Sequence, residues 1–316
     1  MKCLITGASG FIGNALVHRL LNENHQVIGL IHNNKPLHAH PEARYIMGDI
    51  VHPGNELKKT CKQVDFIFHC AAYVKDYGPK KTFYKINVDG TKNLVNLCKD
   101  SIKRFVFLSH IPYEKVTASN YYNKTKTIAE TYLQQQYKIN GFPVVVIRPG
   151  NVYGPGATTW VVRPLQSIQQ NRIALIDHGS GIFLHTYIDN LLDALMSSMN
   201  KENIVGKSID ITDGNHSVTW GKYLNDLAAM IDKDPINRNL SKSTALFIGK
   251  LMMFLHKIFG INPWVTPQAV ETFTNTKIVS IKPARKLLGY KPRINYDQGI
   301  KNVEKWVKNH KNLFLT

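Results

Sequence analysis

The stretch TGASGFIG, residues 6–13, follows a strand-like run, Lys2-Cys3-Leu4-Ile5, and opens a segment of helical periodicity over 11–22. Its three glycines, Gly7, Gly10 and Gly13, stand three apart. Glycine in the first position permits a tight turn, in the second lets a backbone approach a pyrophosphate, and in the third lets the helix pack on the strand. The helix N-terminus then offers N–H groups and a positive dipole end to phosphate oxygens. A glycine motif alone means little, but strand–turn–helix is the context in which this mechanism works. It predicts a dinucleotide cradle made of Gly7, Ser9, Gly10, Phe11, Ile12 and Gly13.

The rest of the first half repeats the alternation. Strand-like runs occur at 2–6, 26–31, 44–47, 65–70, 104–109 and 143–149, with helical segments at 11–22, 84–99 and 120–139. Short β-branched runs alternating with helices predict βαβ units: a Rossmann-type, doubly wound parallel sheet of the α/β class. After about residue 155 the alternation weakens into helices at 160–170, 189–199, 219–232 and 243–259, with a strand-like SIDIT at 208–212. The expected organisation is an NAD(P)-binding domain over 1–155, completed by parts of 185–215, and a smaller mixed α/β substrate region over 156–316.

Composition narrows the class. The chain has 316 residues, 43% hydrophobic and 20% charged, enough for a sizeable core and too apolar for disorder. Lys+Arg 40 against Asp+Glu 22 gives a net charge of +18, which favours anionic partners. The charges are scattered and form no nucleic-acid module, so a generally basic surface is expected and no nucleic-acid partner. Cys3, Cys61, Cys70 and Cys98 make no C-x-x-C pair, and no signal peptide precedes the first strand. A reducing compartment, the cytoplasm, fits these features. His38, His40 and Glu42 sit in a Pro-flanked loop without a supporting motif, so no metal site is expected.

At the end of the second strand an acid would bind ribose hydroxyls, whereas a cation suits a 2′-phosphate. Here His32-Asn33-Asn34-Lys35 carries no acid, which leans the choice between the nicotinamide cofactors toward NADP. Farther on, Tyr122 and Lys126 stand four apart, one turn along one helix face.

These pieces together resemble the extended short-chain dehydrogenase/reductases, nearest to the branch of dihydroflavonol reductases, 3β-hydroxysteroid dehydrogenases and epimerase-like proteins. Besides TGASGFIG, the matching elements are Gly48-Asp49-Ile50, His69-Cys70-Ala71-Ala72, Asn87-Val88-Asp89-Gly90-Thr91, Tyr122-x-x-x-Lys126, RPGNVYGPG (148–156) and HTYIDN (185–190). KPARKLLGYKPRINYDQGI (282–300) follows near the end. The resemblance implies an NAD(P) cofactor with Asp49 and Ile50 flanking the adenine, and Cys70, Ala71 and Ala72 lining the groove. Asn87 would help hold the ribose–nicotinamide end, and Pro149 and Val152 would contact the nicotinamide. Tyr122 would exchange a proton with the substrate oxygen, and Lys126 would lower its pKa and bond the ribose. It also implies a homodimer, commonly through the helices near 84–99 and 120–139.

One position departs from the pattern. Aligning Phe105-Val106-Phe107-Leu108-Ser109-His110 with the family's serine-rich strand end puts His110 where the substrate-binding serine belongs and Ser109 one position earlier. His110 can donate a hydrogen bond itself; alternatively Ser109, Thr117 or Ser119 takes the role, or the site binds cofactor without chemistry. Three functions therefore stand beside one another. The first is hydride transfer between nicotinamide and a carbonyl or secondary alcohol. The second is a nucleotide-sugar epimerase or dehydratase with tightly held NAD and a diphosphate pocket drawn from Arg163, Arg172 and Arg238. The third is a non-catalytic NADP(H) sensor or scaffold. The apolar segment 244–261 is interrupted by Lys250, His256 and Lys257, which argues against a membrane span. It reads as a buried or substrate-covering helix whose Phe247, Leu251, Phe254, Leu255 and Ile258, with Trp264 beyond it, would wall an apolar small-molecule site. Peripheral contact with a membrane surface is the alternative.

Overall fold

The computed structural model describes residues 1–33, 36, 38–112 and 120–314. The strands are β1 (Lys2–Thr6), β2 (Gln26–Ile31), β3 (Arg44–Met47), β4 (Phe66–His69), β5 (Arg104–Leu108), β6 (Val144–Pro149), β7 (Asn151–Tyr153), β8 (Leu175–Ile176), β9 (His185–Tyr187), β10 (Ser208–Ile211) and β11 (Asn239–Leu240). The helices of the first half are α1 (Phe11–Asn22), α2 (Asn55–Cys61), α3 (Lys80–Tyr84), α4 (Gly90–Cys98) and α5 (Tyr121–Asn140). Those of the second are α6 (Arg163–Gln169), α7 (Ile188–Ser197), α8 (Trp220–Ala229), α9 (Lys242–Phe259), α10 (Pro267–Phe273), α11 (Lys282–Leu288) and α12 (Tyr296–Asn309).

Among the described residues the main sheet has seven parallel strands in the order β10-β6-β5-β4-β1-β2-β3. Strands covered on both faces should read as unbroken apolar runs, and β5 does: Phe105 and Phe107 enter the core on one face, Val106 and Leu108 the core on the other. The order reverses between β1 and β4, the switch point beside which ligands bind in open α/β sheets. The SIDIT stretch contributes β10, which pairs with β6 and extends the main sheet. The HTYIDN stretch forms β9 and the start of α7, where His185 and Asn190 each bond Asp213 at 2.8 Å.

Two expected elements differ in detail. The helix expected over 84–99 is interrupted by a π-helical turn, Lys85–Asp89, between α3 and α4. The segment 244–261 is helical but not buried. Within α9 only Ala245 and Gly249 are buried, whereas Phe247, Leu251, Phe254 and Ile258 are exposed. An all-round apolar sequence suggested a covered helix; here the contact seam uses its smallest residues.

Candidate active site

The turn from β1 into α1 is built as the glycine spacing requires. Gly7 adopts φ +70°, and a Cβ there would lie 2.9 Å from the backbone of Ala71. A Cβ at Gly13 would lie 2.2 Å from the Gly7 carbonyl oxygen. The N-terminus of α1 has no capping side chain and no acid in its first turn. Its first N–H groups, which lack intrahelical partners, therefore lie beside a cavity of about 680 Å³ lined by Gly7, Gly10, Phe11, Ile12 and Gly13. A second cavity of about 620 Å³ meets the first at Gly7 and Ala72 and is lined by His32, Asp49, Ile50 and Ala71. The pair gives an elongated groove across the switch point. A dinucleotide fits these residues: the cradle that a Cβ would fill is left open, and an uncapped helix end faces the place for a pyrophosphate.

Beneath the cradle, Thr6, His69 and Thr91 form a buried chain. Thr6 Oγ1 lies 2.7 Å from His69 Nδ1, and His69 Nε2 lies 2.9 Å from Thr91 Oγ1. The Thr91 hydroxyl donates to the Asn87 carbonyl and the Ala71 N–H donates to Thr6 Oγ1, so the consistent arrangement puts the ring proton on Nε2. Burial pushes the pKa of His69 well below its ordinary value, and the Lys126 charge adds to this. The chain locks the ends of β1 and β4 to the start of α4.

Asn120 caps α5 by accepting from the Asn123 N–H at 3.0 Å. The cap starts the helix so that Tyr122 and Lys126 occupy its first two turns, and both line the larger cavity. Lys126 is buried, donates to the Leu108 carbonyl at 2.6 Å and sits 3.9 Å from the Phe107 ring centre. Burial pushes its pKa down to about 7. Beside the pair, the His110 and Tyr122 ring centres are 5.6 Å apart. His110 lines the same cavity, and both its ring nitrogens are buried without a hydrogen-bond partner among the described residues. Burial first, then the Lys126 and Arg148 charges, push its pKa down to about 3, so the ring is neutral.

Ser109 also borders the cavity, but its hydroxyl donates to Glu130 at 3.0 Å. Glu130 further accepts from Ser208 at 2.7 Å and from the Arg148 guanidinium. The Ser109 hydroxyl is thus occupied within a carboxylate–guanidinium network and is not presented as a substrate donor. Thr117, Ser119 and Lys35 lie outside the described residues.

Asn87, expected near the ribose, bonds to its neighbours within the chain. Asn87 is 2% exposed and lines neither cavity. Its side chain accepts from the Tyr73 N–H at 2.7 Å and donates to Thr125 Oγ1 at 2.9 Å, fastening the segment after β4 to α5. Ser9 is exposed in the turn and also lines neither cavity. Cys70, Pro149 and Val152 line the larger one. Sequence reasoning does not single out Lys81 and Lys85, which line the smaller cavity, or Glu130, one helical turn beyond Lys126. The i,i+4 spacing of Lys126 and Glu130 was the available signal for the latter.

Trp264 is the one residue of the expected apolar wall that borders the larger cavity; Phe247, Leu251, Phe254, Leu255 and Ile258 do not. The apolar lining of that cavity includes instead Ile111, Trp160, Ile176, Leu184, Val265 and Phe273.

A parallel sheet with a phosphate cradle at its switch point and a tyrosine–lysine pair at the adjoining cavity defines the dinucleotide-binding class of α/β enzymes. The chain belongs to the NAD dependent epimerase/dehydratase family, matched over residues 3–211, and thus to the extended short-chain dehydrogenase/reductases. It is 27% identical to a 3-beta-hydroxysteroid dehydrogenase of Mycolicibacterium neoaurum, covering 95% of this chain and 89% of that protein. It is equally, 27%, identical to a 2-alkyl-3-oxoalkanoate reductase of Stenotrophomonas maltophilia, over 96% of this chain and 98% of that one. Among solved structures, an epimerase from Methanothermobacter thermautotrophicus superposes with TM-score 0.79 at 19% identity, covering 99% of this chain and 94% of the other. A UDP-glucuronic acid 4-epimerase from Bacillus cereus gives 0.76 at 23%, covering 98% and 99%. The fold is therefore that of the epimerase structures: a seven-stranded Rossmann-like sheet with a smaller C-terminal α/β region.

Proposed function

We propose that the chain is an NAD(P)-dependent oxidoreductase that interconverts a carbonyl and a secondary alcohol on an apolar substrate, with His110 in place of the family's serine. The observation that carries this reading is the buried, neutral His110 imidazole, whose ring nitrogens have no partner among the described residues, beside Tyr122 at an apolar cavity. A buried polar group without a partner costs about 1–3 kcal/mol, a cost that a substrate oxygen bonded to its N–H would offset. The nicotinamide, when bound, supplies or accepts the hydride. In reduction, the His110 N–H donates a hydrogen bond to the carbonyl oxygen and the Tyr122 hydroxyl transfers its proton to that oxygen, leaving an alcohol. In oxidation, the tyrosinate takes the alcohol proton back. Lys126, in its protonated form, favours that tyrosinate.

The lean toward NADP is supported by the same groove: its adenine end is lined by His32, Lys81 and Lys85, with Asp49 as its acid. The relatives named for steroid and alkyl-oxoalkanoate substrates agree with an apolar substrate in a cavity walled by Trp160, Leu184 and Phe273. Turnover of NADPH and NADH with a panel of apolar ketones, and of the oxidised cofactors with the matching alcohols, tests the reading. The expected result is turnover that falls by about 10²–10⁴ in Tyr122→Phe, the usual contribution of general acid–base catalysis. Turnover that survives Tyr122→Phe unchanged would sink it.

A specific observation also favours the epimerase reading. Arg163 and Arg172 line the larger cavity, where cations could meet a diphosphate. Arg238 does not join them; it donates to the Asn171 carbonyl at 2.8 Å. NAD that copurifies with the protein and is not exchanged during turnover would move the assignment to epimerase.

A further inference from the structure

The α9 face unused by the substrate cavity has a composition and position that call for a partner. Phe247, Leu251, Phe254 and Ile258 follow one another at i, i+4, i+7 and i+11, and fall within an arc of about 60° at 100° per residue. They are 69%, 46%, 58% and 54% exposed. Beyond the helix, Trp264 is a further large apolar side chain, 60% exposed. Single exposed apolar side chains are ordinary on protein surfaces, but a contiguous patch of large ones marks an interaction site. The opposite side of α9 is held close to the protein: a Cβ on Gly249 would lie 3.0 Å from the Pro267 nitrogen.

Charge separates the candidate partners. No Asp or Glu occurs between Asp234 and Glu271, whereas Arg238, Lys242, Lys250 and Lys257 do. Lys250 and Lys257 are exposed and border the apolar stripe on the same side. A second copy docking face to face would bring its own lysines to this patch with no acid in the segment to answer them. Anionic lipid headgroups answer them directly, with the aromatic and aliphatic side chains entering the acyl boundary and the lysine stems reaching up to the phosphates. Among the described residues no helix is long and apolar enough to cross a membrane, so the contact would lie in the interface plane.

We propose that α9 and Trp264 form a monotopic docking surface for an anionic bilayer, placing the mouth of the substrate cavity at the membrane. Two observations connect surface and cavity. Trp264, five residues beyond the end of α9, is exposed and also lines the larger cavity. Tyr77, next to the cavity-lining Val74-Lys75-Asp76, bonds Asn262 at 3.3 Å and packs on His256 at 4.9 Å between ring centres. An apolar substrate dissolved in the bilayer would meet the cavity through this edge.

Flotation of the full chain with phosphatidylcholine vesicles, with and without phosphatidylglycerol, tests the surface without reference to turnover, so it can fail while the oxidoreductase reading stands. Wild type should float with the anionic vesicles. Lys250→Gln and Lys257→Gln should each weaken partitioning by roughly fivefold, which is about 1 kcal/mol per basic residue near such a surface. Phe247→Asp/Phe254→Asp should abolish flotation while circular dichroism and melting temperature stay at wild-type values, because both side chains are exposed. Brominated lipid should quench the fluorescence lost in Trp264→Phe. Absence of wild-type flotation, or equal flotation of the Phe247→Asp/Phe254→Asp protein, would overturn the proposal. So would a wild-type dimer in light scattering that this double substitution converts to monomer while no species floats, which would assign the face to a second copy.

Discussion

Around the carboxyl ends of β1, β4 and β5, polar side chains find partners inside the chain: Thr6, His69 and Thr91 satisfy one another, Asn87 bridges Tyr73 and Thr125, and Ser109 binds Glu130. On α9 the situation is reversed, and Phe247, Leu251, Phe254 and Ile258 stand largely exposed. Both regions rely on a glycine that lets one backbone approach another, Gly13 against Gly7 and Gly249 against Pro267. In the first region that close approach leaves room for a ligand; in the second it turns a large apolar face outward. The difference shows where specificity is encoded. The cofactor half is set by backbone geometry and internal hydrogen bonds, whereas the exposed α9 face is proposed to be set by what it meets.

The sharpest break of this comparison is at the cradle. Gly13→Ala places a methyl carbon against the Gly7 carbonyl, 2.2 Å away before relaxation, so the turn must move. Cofactor affinity by calorimetric titration should fall at least tenfold, on the order of 1.4 kcal/mol or more. Gly249→Ala meets its neighbour at 3.0 Å, which should tilt α9 and leave cofactor affinity unchanged.

Lys126 gives a smaller effect with a pH signature. Its pKa in the fold is about 7 against an ordinary 10.5, so the unfolded chain binds the extra proton between those values. The stability cost of burying it is therefore complete below the folded pKa and fades as pH rises toward the unfolded one. Lys126→Met in the cofactor-free protein should raise the melting temperature by roughly 5 °C near pH 6. That gain should shrink near pH 10; an equal gain at both pH values would contradict the assigned cause.

The smallest effect is expected at Ser109. Ser109→Ala removes a donor to Glu130, which keeps Arg148 and Ser208. Stability to denaturant should drop by about 1 kcal/mol and turnover should stay within about threefold, well short of the 10²-fold loss of an oxyanion donor.

Much of the first region was legible in the sequence. Unbroken runs such as Phe105-Val106-Phe107-Leu108 have no polar face, so a strand covered on both sides was the reading they allowed, and Gly7, Gly10 and Gly13 placed the cradle. Pairings across long stretches of chain were not legible. Nothing local to Asn87 shows that Thr125 will take its amide, or that Ser109 will meet Glu130 and so leave His110 as the proposed donor at the cavity. The misreading of 244–261 has a similar cause. Hydropathy counts apolar residues, but which of them are buried depends on the neighbouring α10, and that neighbour met the smallest side chains.

The central claim is that a neutral histidine takes the place of the family's serine at the substrate oxygen. The most direct test is the single-turnover rate of carbonyl reduction with saturating cofactor, measured for wild type, His110→Ala and His110→Ser across about pH 5–8. With its pKa near 3, His110 is neutral throughout that range and should contribute no ionisation to the wild-type profile, so an inflection near 7 belongs to Lys126 and should persist in both variants. His110→Ala should lose about 10²-fold in rate with cofactor affinity unchanged, and His110→Ser should recover part of the loss. A rate indifferent to both substitutions would contradict the account.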